Sequence, residues 1–198
     1  VRSNRCYRNE AAGIGCRSDS APLIVDNHCF ENDAAGIGAA SAQPLLFQNR
    51  LEKNDTAGIG IRGHSKAYLL ENTCLENRLV AVGMPDGAEA FLQKNTFERT
   101  GGMPPIVAIL GGSKASLIGN TIKGGGVAGI LLEGNLTATD NVLEGQNGGA
   151  GILAKENSEV ALLRNRIEGY RNAVSDQGAK FIQTEDHERL RSRKRNAN

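Results

Sequence analysis

Leu46-Phe47-Gln48-Asn49-Arg50-Leu51-Glu52-Lys53-Asn54-Asp55-Thr56-Ala57-Gly58-Ile59-Gly60 decides the fold, because its pattern returns along the whole chain. With Asn49 as anchor, apolar residues stand three positions before it (Leu46), two after it (Leu51) and ten after it, behind a glycine (Ile59). The anchor recurs as Asn4, Asn27, Asn72, Asn95, Asn120, Asn141 and Asn165, at intervals of 21 to 25 residues with a mean of 23. The preceding column reads Val1, Ile24, Leu46, Leu69, Leu92, Leu117, Ala138 and Leu162. The following one reads Cys6, Cys29, Leu51, Cys74, Phe97, Ile122, Leu143 and Ile167. The third reads Ile14, Ile37, Ile59, Val82, Ile109, Ile130, Ile152 and Val174. A fixed period of this size marks units that cannot bury an apolar face alone and must stack on their neighbours.

Each unit is too short in apolar runs, and too rich in turn formers, for a helix. Glycine and asparagine make 43 of 198 residues, and tryptophan is absent. Three short strands per unit fit instead, with the Gly-Ile-Gly steps at 13–15, 36–38 and 58–60 expected to turn sharply or take positive φ. Stacked coils place equivalent residues about 4.8 Å apart in parallel ladders, so eight coils make an all-β rod about 38 Å long. The anchor amides carry a donor and an acceptor each and can bond from coil to coil. A second asparagine row, Asn9, Asn32, Asn54 and Asn77, does the same and then decays to Thr100, Gly125, Gln146 and Tyr170.

At 39% hydrophobic residues the chain can bury a core, and no apolar run approaches a membrane span. Net charge is +1: the last sixteen residues carry +2 and leave the body at −1. A near-neutral body without basic stripes argues against nucleic acid. Two segments are expected, a β-helix over 1–182 and a charged cap or tail over 183–198, with Leu190 packing on Phe181 or Ile182 if it is a cap. Val1 already occupies an inward column, so the N-terminal face is expected to be covered by a missing cap, a preceding domain or another chain.

The pattern N-x-[aliphatic]-x-x-N-x-x-x-G-I resembles the repeat of right-handed parallel β-helices of the pectin-lyase-like superfamily, over about residues 1–182. The resemblance implies a right-handed solenoid of about eight coils and a set of activities: polysaccharide lyases, hydrolases, epimerases and non-catalytic carbohydrate binders. It also implies a secreted or periplasmic location. The catalytic signatures of such enzymes are absent: there is no Asp-Pro-His, no Asp-Asp pair and no acidic cluster on the strands.

One polar row remains. Counted forward from each anchor, the turn after the Gly-Ile strand presents Asp19, Ala42, His64, Asp86, Lys114, Asn135 and Glu156, with Arg62 and Glu133 two residues before members of the row. On this count His64 and Asp86 fall on adjacent rungs, as do Asp86 and Lys114, and a carboxylate beside His64 would raise its pKa. His64, Asp86 and Lys114 are the catalytic candidates; Arg62, His64, Asp86, Lys114, Glu133 and Glu156 are the binding candidates. The alternative is a solvated row of alternating charge. The insertion Gly101-Gly102-Met103-Pro104-Pro105 in coil five is expected to be a surface loop. Tyr7, Phe30 and Tyr68 are the candidate exposed rings.

Cys6, Cys29 and Cys74 fall in one inward column and Cys16 in another, with no CxxC. Parallel rungs set their Cβ bonds side by side, so free thiols are expected, which fits a reducing interior rather than the location the resemblance implies. Neither metal nor cofactor is expected. The sequence therefore reads as a rigid module presenting a surface to a glycan or protein partner. A polysaccharide-active enzyme, or a fragment of one, is the alternative, and a structural spacer in a larger chain the second.

Overall fold

The computed structural model describes residues 1–184, and the charged segment 185–198 with Leu190 lies outside the described residues. Among the described residues, twenty-four strands of three to six residues form three parallel sheets of eight strands each, and successive strands of the chain visit the three sheets in turn. The first sheet starts at Arg5–Tyr7, the second at Ile14–Arg17 and the third at Leu23–Val25, and each repeats once per coil.

Alternation along each strand sends one set of side chains inward. In the third sheet Ile24, Leu46, Leu69, Leu92, Leu117, Ala138 and Leu162 stack rung on rung and are buried. Burying each large aliphatic of such a column is worth about 1.5–3 kcal/mol. The first-sheet column runs Cys6, Cys29, Leu51, Cys74, Phe97, Ile122, Leu143 and Ile167, as read from the sequence. In the second sheet one rung differs: Val107, not Ile109, stacks between Val82 and Ile130. Ile109 lies two residues further on, between Met84 and Leu132. The coil-five insertion puts this rung twelve residues after Asn95 instead of ten, and the sequence reading went past it to Ile109.

All seven anchor-to-anchor steps are hydrogen bonded. Asn49 shows the full pattern: its Oδ1 accepts from the Asn27 amide N–H (3.0 Å) and Nδ2 (2.9 Å). Its Nδ2 donates to Asn72 Oδ1 and to the Ile24 carbonyl, both at 2.9 Å. The second row is bonded likewise from Asn9 to Asn77. The left-handed backbone falls not on the asparagines but on the residue before each: φ is 54° at Asp26, Gln48, Glu71 and Lys94, and only Gly119 is a glycine there.

The Gly-Ile-Gly steps differ from expectation, since none of their glycines has positive φ. Gly13, Gly36 and Gly58 are required by close packing instead. A Cβ on Gly36 would lie 2.9 Å from the Gly58 carbonyl oxygen, Asn54 Nδ2 and Leu51 Cδ1.

Where the second asparagine row stops, Arg99 takes over. Its guanidinium is buried and donates to the carbonyls of Leu79 (2.6 Å), Gly101 (3.1 Å) and Pro104, so it ties down the coil-five insertion. Burial pulls its pKa below the usual value, against the opposing effect of Glu76. Further along, Tyr170 reaches across two coils to donate to the Gly124 carbonyl at 2.8 Å. The absence of a Cβ at Gly129 and Gly145 makes room for its ring. The four cysteines are free thiols, as expected.

Candidate functional site

Two of the three outward rows of the third sheet concern the site. One runs Lys66, Glu89, Lys114, Asn135, Glu159 and Lys180. The other runs Leu23, Leu45, Tyr68, Phe91, Ser116, Thr137 and Ala161. In Lys66–Leu70 and Glu89–Gln93 the inward Ala67, Leu69, Ala90 and Leu92 anchor the strands, so period-two alternation fixes the outward lysine, ring and carboxylate.

Between the rows lies an open groove of about 420 Å³ lined by Lys66, Tyr68, Glu89, Phe91, Lys114, Ser116, Asn135 and Thr137, over a floor of alanines. Tyr68 is 53% exposed, and its ring centroid is 6.4 Å from that of Phe91, tilted by 50°. Lys66 Nζ sits 3.5 Å from a Glu89 oxygen, while Lys114 makes no ion pair among the described residues. The groove thus offers two ring faces, an ion pair, a free ammonium, an amide and two hydroxyls along about four rungs.

The structure does not assemble the row counted from the sequence. Asp86 accepts from the Gly63 N–H at 2.9 Å, and the common offset of the flanking pairs Gly60–Gly83 and Lys66–Glu89 sets His64 level with Gly87, not with Asp86. Lys114 lies three strand positions past the rung of Asp86, between Glu89 and Asn135. Arg62 ends a second-sheet strand opposite Ala40. Glu133 is ion-paired with Lys155, and Glu156 is exposed in the following turn. Of the six candidates only Lys114 lines the groove, and the others spread along the corner between the second and third sheets. In coils three to five that corner has one length, six residues from Gly60, Gly83 and Ala108 to Lys66, Glu89 and Lys114, so His64, Asp86 and Lys114, four, three and six residues past those rungs, are not equivalent positions. Among the described residues no group of three His, Cys, Asp or Glu side chains could hold a metal ion.

The candidate rings separate. Tyr7 and Phe30 stack on the first sheet (4.9 Å, 5°), with the Arg5 guanidinium 5.4 Å from the Phe30 centroid and His28 against the same ring. Tyr68 is on the third sheet, and its partner Phe91 was missed in the sequence reading. The signal was present: each ring lies four residues before an anchor, Asn72 and Asn95.

Comparisons with known proteins agree with the architecture. No curated protein matches this sequence. Among solved structures, HetL, a pentapeptide repeat protein involved in heterocyst differentiation regulation from the cyanobacterium Nostoc sp. strain PCC 7120, aligns over 93% of this chain and 91% of its own. Its identity is 13% and the TM-score 0.20, too low to carry an argument. A family model described as "Right handed beta helix region" matches residues 1–75 and 46–186, nearly the whole chain. With its three parallel eight-stranded sheets and this match, the chain belongs to the right-handed β-helix family.

Proposed function

We propose that this β-helix is a rigid, non-catalytic binding module that takes an extended polysaccharide along the outer face of the third sheet. The observation that carries the reading is the pairing of Tyr68 and Phe91 with the row Lys66, Glu89, Lys114 and Asn135 in one open groove. Ring faces stack on the apolar faces of sugars, while ammonium, carboxylate and amide groups bond hydroxyls. The parallel rungs repeat every ~4.8 Å, so a chain aligned with the rod meets a similar set of groups at each step. No general acid and base face each other across the groove, because Glu89 is engaged by Lys66.

A glycan array followed by calorimetry tests this. Tyr68→Ala and Phe91→Ala are each expected to weaken the best glycan at least tenfold, and uronic-acid polymers should yield neither new reducing ends nor unsaturated products. Product formation would replace the reading with the enzyme. A protein partner is the second reading, favoured by Leu23 and Leu45, which continue the ring column at 56% and 36% exposure. It predicts that Leu45→Asp abolishes a protein interaction while no glycan binds. Absence of both would leave a spacer.

A further inference from the structure

A second concavity, of about 450 Å³, lies on a different face, the outside of the second sheet. Its floor is a row of consecutive rungs, Gly15, Gly38, Gly60, Gly83 and Ala108. The fold does not require the first three of these glycines, whereas a Cβ on Gly83 would lie 3.1 Å from Val80 Cγ2. None has positive φ, and a Cβ on Gly15 would meet nothing within 4 Å. On Gly38 or Gly60 a Cβ would make only ordinary contacts of 3.7 and 3.8 Å with Ala12 and Ala35. The same row continues as Leu131 and Leu153 in coils six and seven, so large side chains are tolerated there. Glycine inside a strand destabilises it and commonly marks a place where a ligand or another backbone comes close.

The walls are methyl groups and short aliphatics, and the charged residues in the lining are Arg17 and Arg62. These two stand on the same edge, either side of Ala40, and are therefore two strand spacings (about 10 Å) apart. Neither guanidinium forms an ion pair among the described residues. Asp86, the nearest carboxylate in sequence to Arg62 on that corner, is engaged by the Gly63 N–H, and Asp19 lies two residues beyond Arg17. On the opposite corner Glu10, Asp33 and Asp55 lie outside the lining, so the trough is basic on one side alone.

We propose that this trough binds an extended acidic peptide segment, lying along the rod with its carboxylates on Arg17 and Arg62. Polyproline II geometry fits: residues three apart share a side and are about 9 Å apart, which matches the two guanidiniums. The ladder of glycines lets the peptide backbone settle close, and its intervening apolar side chains bury against the alanine walls. A sugar chain suits the trough poorly, because no aromatic ring lines it and Thr56 is the one hydroxyl among its lining residues.

The test uses the full chain and a labelled, N-acetylated and C-amidated peptide of four Glu-Pro-Ala repeats, followed by fluorescence anisotropy. The peptide should bind saturably, and a Gln-Pro-Ala control at least tenfold more weakly. Gly15→Leu and Gly38→Leu should each cut affinity at least tenfold with an unchanged or raised melting temperature, which separates a blocked trough from a damaged fold. Arg17→Gln with Arg62→Gln should remove most of the salt dependence. No saturable binding, equal binding of the control, or full affinity in Gly38→Leu would overturn the proposal. So would an acidic polysaccharide displacing the peptide from the trough. None of these results bears on the third-sheet groove, which shares no lining residue with this one.

Discussion

Replacing Asn49 by alanine tests the ladder at its most completely bonded rung. The side chain makes four hydrogen bonds in a site 1% exposed. Its removal does not orphan every partner. Asn72 Oδ1 still accepts from the Asn49 backbone N–H, and Asn27 Nδ2 still reaches the Val25 carbonyl. The Asn27 N–H loses its acceptor, in a residue itself 1% exposed, and the Ile24 carbonyl loses the amide donor. One stranded buried donor costs about 1–3 kcal/mol, and with the weakened carbonyl and the small void the total comes to about 3 kcal/mol. For a chain of this size that is a drop of roughly 6–12 °C in melting temperature. The exposed first rung is the internal control: Asn4→Ala should lose less than about 1 kcal/mol. Urea titration followed by circular dichroism gives the size, and hydrogen exchange at the Asn27 amide gives the place. Asn49→Ala losing under about 0.5 kcal/mol, or an Asn27 amide equally protected in the variant, would refute the account of the ladder.

Three further outcomes follow from other features. Arg99→Ala should strand the carbonyls of Leu79, Gly101 and Pro104, destabilise by about 3 kcal/mol, and make the 101–105 insertion the first site of limited proteolysis. Gly119→Ala should cost no more than about 1 kcal/mol by denaturation, since the site is open and the other coils hold non-glycine residues at the same φ. Stability should fall above pH 9: burial pushes the Cys29 thiol up to about 12 and the Cys74 thiol up as well. The unfolded chain releases these protons near the ordinary thiol value of 9.0 while the folded chain retains them, so their contribution is complete below pH 9 and is lost as pH rises. In the double variant Cys29→Ala, Cys74→Ala the pH–stability curve should start lower and decline less steeply.

Legibility in the sequence depended on the direction of counting. The third-sheet strands end a fixed distance before each anchor, so Lys66, Glu89, Lys114, Asn135 and Glu159, each six residues before its asparagine, share a rung row. The core columns on either side of the anchor were readable for the same reason. Counting forward crosses the loops and the corner between the second and third sheets, where coils differ in length. In coil five the insertion lengthens the stretch before the second-sheet strand by two residues, and the reading passed Val107 for Ile109; it also set Lys114, six residues past its second-sheet rung, against Asp86, three past its own. The roles of glycine were hidden for another reason: Gly58 and Gly60 look alike in sequence. A Cβ on the first would strike Cys74 Sγ at 2.8 Å, and on the second would touch one alanine methyl. Arg99 was invisible because a single arginine in a loop-flanked strand reads as surface until its carbonyl partners are brought together.

The anchor amides hold their bond lengths within 2.9–3.1 Å although the intervals between them range from 21 to 25 residues. Chain length and axial length are therefore decoupled. Any surplus is expelled sideways at a corner, as in coil five, and leaves the next rung in phase. The rod behaves as an indexed frame: its rungs set where a residue lies along the axis, while the corners are free to lengthen or shorten. Variation in this chain should consequently accumulate as sideways insertions of differing size, and a deletion of one anchor asparagine should do more harm than the insertion of several residues at 101–105.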